Sequence, residues 1–219
     1  LSVSGASFQG VFRNPLVSPF ILGVATGAGF GAAVAILVSG HDLVIQASAF
    51  FFGMLAVFIS YGLTRMYKTS SILVMVLSGV IVGAFFSALI SLVKYVADPY
   101  DKLPVIVFWL MGSLATIGLK DLLVILFPMG TGIFLMLALR WKIGILSMGD
   151  EEARSMGVET GRLRMILVMA ATLATASAVA VSGVIGWVGL VIPHLARMIT
   201  GPDYRRLLPL SMSLGACYL

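Results

Sequence analysis

Side chains able to do chemistry are few in this sequence, and their spacing suits docking and packing rather than catalysis. Histidine occurs only as His41 and His194, neither inside an H-E-x-x-H array nor three or four residues from an acid, so a catalytic zinc site lacks its ligands. His41 reads as a loop residue, and His194, directly after Pro193, as a helix-end or packing residue. The lone cysteine, Cys217, excludes an internal disulfide framework and a multi-cysteine metal site. No G-x-x-x-x-G-K-S/T string occurs, so the sequence lacks the loop that cradles nucleotide phosphates; no cofactor is expected on this chain, and ATP that drives it would be used by a partner subunit. The densest run of charge is S-M-G-D-E-E-A-R-S-M-G, residues 147–157. There Ser147 is placed to cap a helix, Asp150, Glu151 and Glu152 to occupy its first turn, Arg154 to follow later and Gly157 to stop it. Residues 150–157, with Ala153, Ser155 and Met156 completing them, thus read as a short surface helix. Ordered end signals inside a long polar connector favour a place where a soluble partner docks.

What positions these residues is a membrane. Hydrophobic residues make up 60% of the chain, charged ones 11%, and mean hydropathy is +1.09; soluble domains are about 45–50% apolar and about 25% charged. The net charge of +5 does not mark a nucleic-acid binder, because the basic residues are scattered between apolar runs instead of forming a block. Four uncharged stretches, residues 16–38, 43–64, 72–93 and 122–139, are long enough to cross a hydrocarbon core of about 30 Å, which needs about 17–25 helical residues. Residues 165–193 are too many for one simple span, and residues 105–119 too few, which suggests an interfacial or re-entrant segment. Residues 1–12 and 207–219 read as parts of further helices, truncated at the two ends of the sequence. Long unbroken apolar runs lack the alternation of β-barrel strands. The expected fold is all-α: a polytopic transmembrane helical bundle forming a single domain over residues 1–219.

Lysine and arginine placement sets the orientation, since short cytoplasmic loops are enriched in them. If residues 165–193 cross once, Arg13, Arg65, Lys68, Arg140, Lys142, Arg154, Arg162 and Arg164 lie inside and Lys94, Lys102, Lys120, Arg197, Arg205 and Arg206 outside, 8 against 6. If the chain instead breaks at Gly183, Gly186 and Gly189 and returns as a short helix, three arginines change side and the count becomes 11 against 3. The broken topology is preferred, and it demands non-helical backbone enclosed by protein or facing a water-filled cavity.

Two stripes of small residues stand out. Gly23, Gly27 and Gly31 recur every fourth residue, the spacing that lets helix backbones approach closely, and read as helix packing. Gly79, Gly83, Ser87 and Ser91 form a second stripe with two hydroxyls, a candidate lining for a translocation path. Asp98, Asp101 and Lys102 lie in an outer loop, either as a solvated rim or as a site for a docking protein. An ion-coupled secondary transporter would need an ionisable residue deep in a span, and the four clean spans have none. An intramembrane enzyme would need a nucleophile and base, which are absent as a set.

Four strings then carry a resemblance: S-G-A-S-F-Q-G-V-F-R-N-P-L from Ser4, W-L-M-G-S-L from Trp109, S-G-V-I-G-W-V-G-L-V-I-P-H-L-A-R from Ser182, and G-P-D-Y-R-R-L-L-P from Gly201. Together they resemble the iron-complex and cobalamin permease family of bacterial and archaeal binding-protein-dependent ABC importers. The resemblance implies a ten-helix permease of the cytoplasmic (inner) membrane, here without its first helix, most of the ninth and all of the tenth. It also implies a homodimer with the path between the copies, ATP-binding subunits docked at residues 148–157 on the cytoplasmic side, and a periplasmic or lipid-anchored substrate-binding protein outside. Thr69 and Ser70 match a pair that narrows the inner mouth of the path. The W-L-M-G-S-L wording is closer to the iron-siderophore branch; haem, cobalamin and oxyanion carriers are the alternatives.

The orientation is open to direct measurement. With Cys217 replaced by serine, a cysteine introduced by Ser155→Cys should resist a membrane-impermeant thiol reagent on intact cells and react in inside-out vesicles; labelling on intact cells would reverse the topology.

Overall fold

The computed structural model describes residues 1–66, 72–115 and 117–219. Among them are eleven α-helices and no strand: α1 Ser2–Val11, α2 Val24–Val38, α3 Asp42–Met66, α4 Ile72–Val96, α5 Lys102–Met111, α6 Leu119–Ala138, α7 Arg140–Met148, α8 Asp150–Ser155, α9 Thr160–Ser182, α10 Val188–Thr200 and α11 Tyr204–Tyr218. Four of them, α3, α4, α6 and α9, are long and apolar enough to cross a bilayer. Of their most apolar stretches only 33%, 28% and 17% is buried in α3, α4 and α6, against 67% in α9. The first three therefore present most of their surface outward, as lipid-facing helices do, while α9 is an interior helix.

By internal contacts the chain forms two compact units, one of Leu1–Pro19, Phe127–Thr175 and Gly186–Leu219, the other of Phe20–Leu126 and Ala176–Ile185. In the second, α2 lies against α3 with almost no side chain between them. A Cβ on Gly27 would overlap the carbonyl oxygen of Phe52, and one on Gly31 that of Ser48, one helical turn away. The Ser48 hydroxyl donates to the Gly31 carbonyl at 2.7 Å, adding a polar contact along the same seam. Phe30, Phe52 and Phe86 fill the space where α2, α3 and α4 meet around Ala56 and Val82, with ring centroids 5.0–6.4 Å apart.

The expected span over residues 16–38 is shorter than its composition suggests: α2 starts only at Val24. Pro15 and Pro19 interrupt the preceding stretch, and Gly23 at φ 84° adopts a left-handed conformation that an α-helix does not continue through. The Leu22 carbonyl accepts the Ser60 hydroxyl at 3.0 Å, and a Cβ on Gly79 would overlap the Ile21 carbonyl, so this irregular stretch is held by α3 and α4.

In the first unit α1 is buried along its whole length and packs on α7, α10 and α11. The α10 sequence explains one close approach. Pro193 has no amide to donate to Gly189, four residues earlier, and the freed Gly189 carbonyl lies against the bare Cα of Gly5, where a Cβ would overlap it. His194 accordingly falls in mid-helix, and it is exposed, not at an end or packed as its position after a proline suggests; the helix has already begun at Val188, so this proline does not mark its start. The Arg205 guanidinium stacks over the Trp141 ring at 5.8 Å, and Gly10 packs on Ile143 and Tyr204. Arg205 thus shares a side with Arg140 and Lys142, the arrangement that only the broken topology produces.

Glycine substitutions should separate these seams from exposed helix. Gly27→Ala should destabilise the protein by about 1–3 kcal/mol through overpacking against a carbonyl, whereas Gly62→Ala in α3, with nothing nearby, should stabilise it by about 0.5–1 kcal/mol. Thermal unfolding in detergent reads both signs.

Candidate functional site

The charged elbow is α7, α8 and the start of α9. Ser147 does not cap α8: it lies inside α7, where its hydroxyl donates to the Gly144 carbonyl at 2.7 Å. The residue before the helix is Gly149, at φ 147°, and the Glu152 carboxylate folds back over its Cα so closely that a Cβ there would overlap it. Asp150, Glu151 and Glu152 fill the first turn, where negative charge offsets the helix dipole. The far end is closed by Gly157 at φ 77°, with the Val158 amide donating to Ala153 and the Gly157 amide to Arg154, both at 2.9 Å, the paired bonds of a glycine-terminated helix. Ala153 is the one buried side chain of α8; Glu151, Glu152, Arg154 and Ser155 are exposed, as are Met156 and Gly157.

Asp150 reaches the other way. Its carboxylate accepts from the Arg164 guanidinium at 2.7 Å, with the arginine side chain 4% and the aspartate 25% exposed. A pair this enclosed is costly to break from one side, about 3–5 kcal/mol, since a charge is left behind without its counterion. Sequence reasoning placed Arg164 only in a charge count; the available signal was an arginine one turn into a long apolar helix, where an unpaired guanidinium is unfavourable.

Beside α8 lie two grooves that share Trp141 and Met156. One of about 300 Å³ runs between α7 and the start of α11, past Met148 and Arg205; the other, of about 490 Å³, runs past Lys142, Glu159 and Arg162 to Leu163. Exposed methionine and tryptophan among charges are suited to protein contact. Beneath them Arg197 donates to the Gln9 side-chain oxygen at 2.9 Å. Burial raises the Tyr204 phenol above its ordinary pKa, opposed by the Arg197 charge and hydrogen bond.

Of the second stripe, Gly79 is buried against Leu22, and Gly83 lies beside Thr26 and Gly23, whose own Cβ would come within 3.4 Å of the Gly83 amide. Ser87 and Ser91 are exposed, and the Ser91 hydroxyl donates back to the Ser87 carbonyl at 3.1 Å. The stripe therefore divides into a packed half and an open half. Thr69 and Ser70 lie outside the described residues. In the outer loop Asp98 accepts the amides of Tyr100 and Asp101, and Asp101 pairs with Lys102 at 3.8 Å on the surface.

Two of the resembling strings meet at the break after α9. Gly183 turns the chain at φ 66°, and a Cβ on it would overlap the Trp109 carbonyl; a Cβ on Gly112, at φ 74°, would come within 2.7 Å of the Val184 carbonyl. The Ser113 amide donates to the Ser182 carbonyl at 2.7 Å. Sequence reading treated W-L-M-G-S-L as a marker of substrate branch; structurally it is the segment that satisfies the backbone of the break.

Comparison with known proteins agrees with this arrangement. The family model of the FecCD transport family matches residues 1–219. The chain is 42% identical to the molybdate import system permease protein MolB of Haemophilus influenzae, covering all of this chain and 65% of that protein, and 42% identical to a probable iron chelatin transport system permease protein of Helicobacter pylori, covering 66% of it. It is 36% identical to the hemin transport system permease protein HmuU of Yersinia pestis, again over the whole chain and over 67% of that protein. A solved structure described as an inward-facing conformation of an ABC transporter assigned to the metal-chelate type superposes with a TM-score of 0.93 at 41% identity, covering all of this chain and 70% of that one. The chain thus spans just under two thirds of the Haemophilus and Helicobacter relatives. With its apolar helices it is a multi-pass inner-membrane protein. Matched from its first residue to its last, this chain belongs to the FecCD transport family.

Proposed function

We propose that this chain is the permease part of an ATP-driven importer, moving a solute while separate ATP-binding subunits supply the energy. The observation that carries this reading is α8: a helix closed at its end by Gly157, with Glu151, Glu152, Arg154 and Ser155 all exposed on the side richest in arginine. A soluble subunit docking on Asp150–Gly157 would move this elbow when it closes on ATP, and the adjoining grooves widen the contact. The transport path would run between two copies of the chain. In that arrangement the exposed Ser87 and Ser91 line it, while Gly79 and Gly83 hold α4 against Gly23 and Leu22. Thr69 and Ser70 would narrow its inner mouth. A periplasmic or lipid-anchored binding protein would meet the outer loop at Asp98, Asp101 and Lys102.

For the solute we propose an iron–siderophore-type complex, supported by the W-L-M-G-S-L wording and the iron chelatin relatives. Molybdate, an oxyanion, is the second reading, favoured by the equally similar Haemophilus protein. Uptake of labelled ferric siderophore against labelled molybdate, in cells carrying only this system, distinguishes them.

Docking is tested by pull-down of an ATP-binding subunit of the same transporter family from the same cells. Wild type should retain it, and Glu151→Arg combined with Arg154→Glu should weaken retention by about tenfold or more, the scale expected when charges are reversed at an interface. Absence of binding to wild type would remove the proposed function.

A further inference from the structure

The Asp150–Arg164 pair does a job that docking alone does not require. Six residues form α8, with one buried side chain, Ala153, and a glycine at each end. Helices this short have little stability of their own, since nucleation is unfavourable and few bonds follow it. A partner pushing on such an element would bend it at Gly149 or Gly157 unless something fixes it to the body of the protein. The backbone at both ends is permissive, with φ 147° and φ 77°. What ties α8 to the rest of the protein includes the buried Ala153 and the 2.7 Å contact between the Asp150 carboxylate and the guanidinium of Arg164, the fifth residue of α9.

The asymmetry of the pair fits a fastening. Arg164 is enclosed and belongs to the best-buried long helix, whereas Asp150 is reached by water and belongs to the element that would move. Because Arg164 is the enclosed partner, separating the charges takes a 2.7 Å carboxylate contact from a guanidinium in a poorly hydrated place, so the two ends resist separation. An exposed ion pair would give way under load for little cost. Arg154 and Glu151, by contrast, are exposed and free to meet a partner.

We infer that Asp150 and Arg164 are positioning residues for coupling: their ion pair makes the short helix α8 and the long helix α9 move as one body, so that displacement of the docked subunit reaches the membrane-spanning helices instead of being lost as bending at Gly149 and Gly157. The inference rests on the proposed docking at α8 and adds to it the element that transmits the motion. It requires no contact between Arg164 and the docked subunit.

The test uses the full transporter, with its ATP-binding subunits and binding protein, reconstituted in vesicles. Arg164→Gln is the primary variant, because the carboxylate it leaves behind is already in reach of water. At equal amounts of assembled complex it should retain the ATP-binding subunit in pull-down and continue to hydrolyse ATP, while solute imported per ATP falls by roughly tenfold, within the usual range of coupling between sites. Arg164→Lys, which keeps the charge, should recover most of that ratio; a merely structural role would change the amount of complex and not its ratio. If Arg164→Gln does not fold, Arg164→Met, which fills the enclosed space without a charge, is read by the same ratio. An unchanged ratio in the variant that assembles would overturn the inference, as would loss of subunit binding by Arg164→Gln, which would make the pair part of the docking surface. Failure of wild type to bind the subunit is a different result and removes the proposed docking instead.

Discussion

Backbone polar groups in a bilayer have no water to turn to, and that constraint governs the break after α9, where this chain leaves a long helix. Between Ser182 and Val188 the backbone runs without helical bonding for most of its length, with left-handed turns at Gly183 and Trp187. An exposed break of this kind would cost several kcal/mol for each unpaired group. Here the Ser182 carbonyl accepts the Ser113 amide, the Ser182 hydroxyl covers Ala178 and Gly183, and the Val188 amide folds back to Gly186. Gly112 and Gly183 permit this because the carbonyls of Val184 and Trp109 occupy the space a Cβ would need. The sharp end of α5 and the sharp end of α9 are two halves of one solution.

The same economy of side chains recurs wherever helices cross. Gly27 and Gly31 admit carbonyls of α3, Gly79 the carbonyl of Ile21, and Gly132 of α6 the backbone of Ala170 and Ala174 on α9. Lipid offers no hydrophobic drive for helices to associate, so close van der Waals contact between backbones, with hydroxyls such as Ser48 and Ser60 adding hydrogen bonds, has to provide it. Such seams are intolerant of sliding, because a shift of one residue would put a side chain where a glycine must be. Within each unit the helices are therefore suited to moving together.

How much of this was legible follows from which terms are local. The all-helical class, three of the four clean spans and the break after α9 could be read because each depends on runs of apolar residues and on glycines. The 11-to-3 count of basic residues favours the broken topology, and the closeness of Arg205 to Trp141 agrees with its placing both on one side. What could not be read is tertiary. Nothing near Ser147 announces that α7 would absorb it, leaving Gly149 as the residue before α8. Residues 16–23 have the composition of a membrane helix, and only Pro19 and Gly23 hint that carbonyls there are held by Ser60 and packed on Gly79 instead. Asp150 and Arg164 are 14 residues apart, with a turn between them that no periodicity encodes.

Stiff, glycine-packed helices and a soft six-residue elbow pose a mechanical problem with few solutions. Lengthening α8 would stabilise it but would also enlarge the surface that the proposed docking subunit has to match. Burying more of it would fix it in place while hiding Glu151, Glu152 and Arg154. A single enclosed ion pair at its first residue leaves Glu151, Glu152, Arg154 and Ser155 free, and it joins the helix to a neighbour that is already two-thirds buried. Its cost in desolvation is confined to one guanidinium, and that guanidinium sits one turn from the polar end of α9, where water reaches the partner carboxylate. Charge is thus carried as far into the apolar body as its counterion can follow, and no farther.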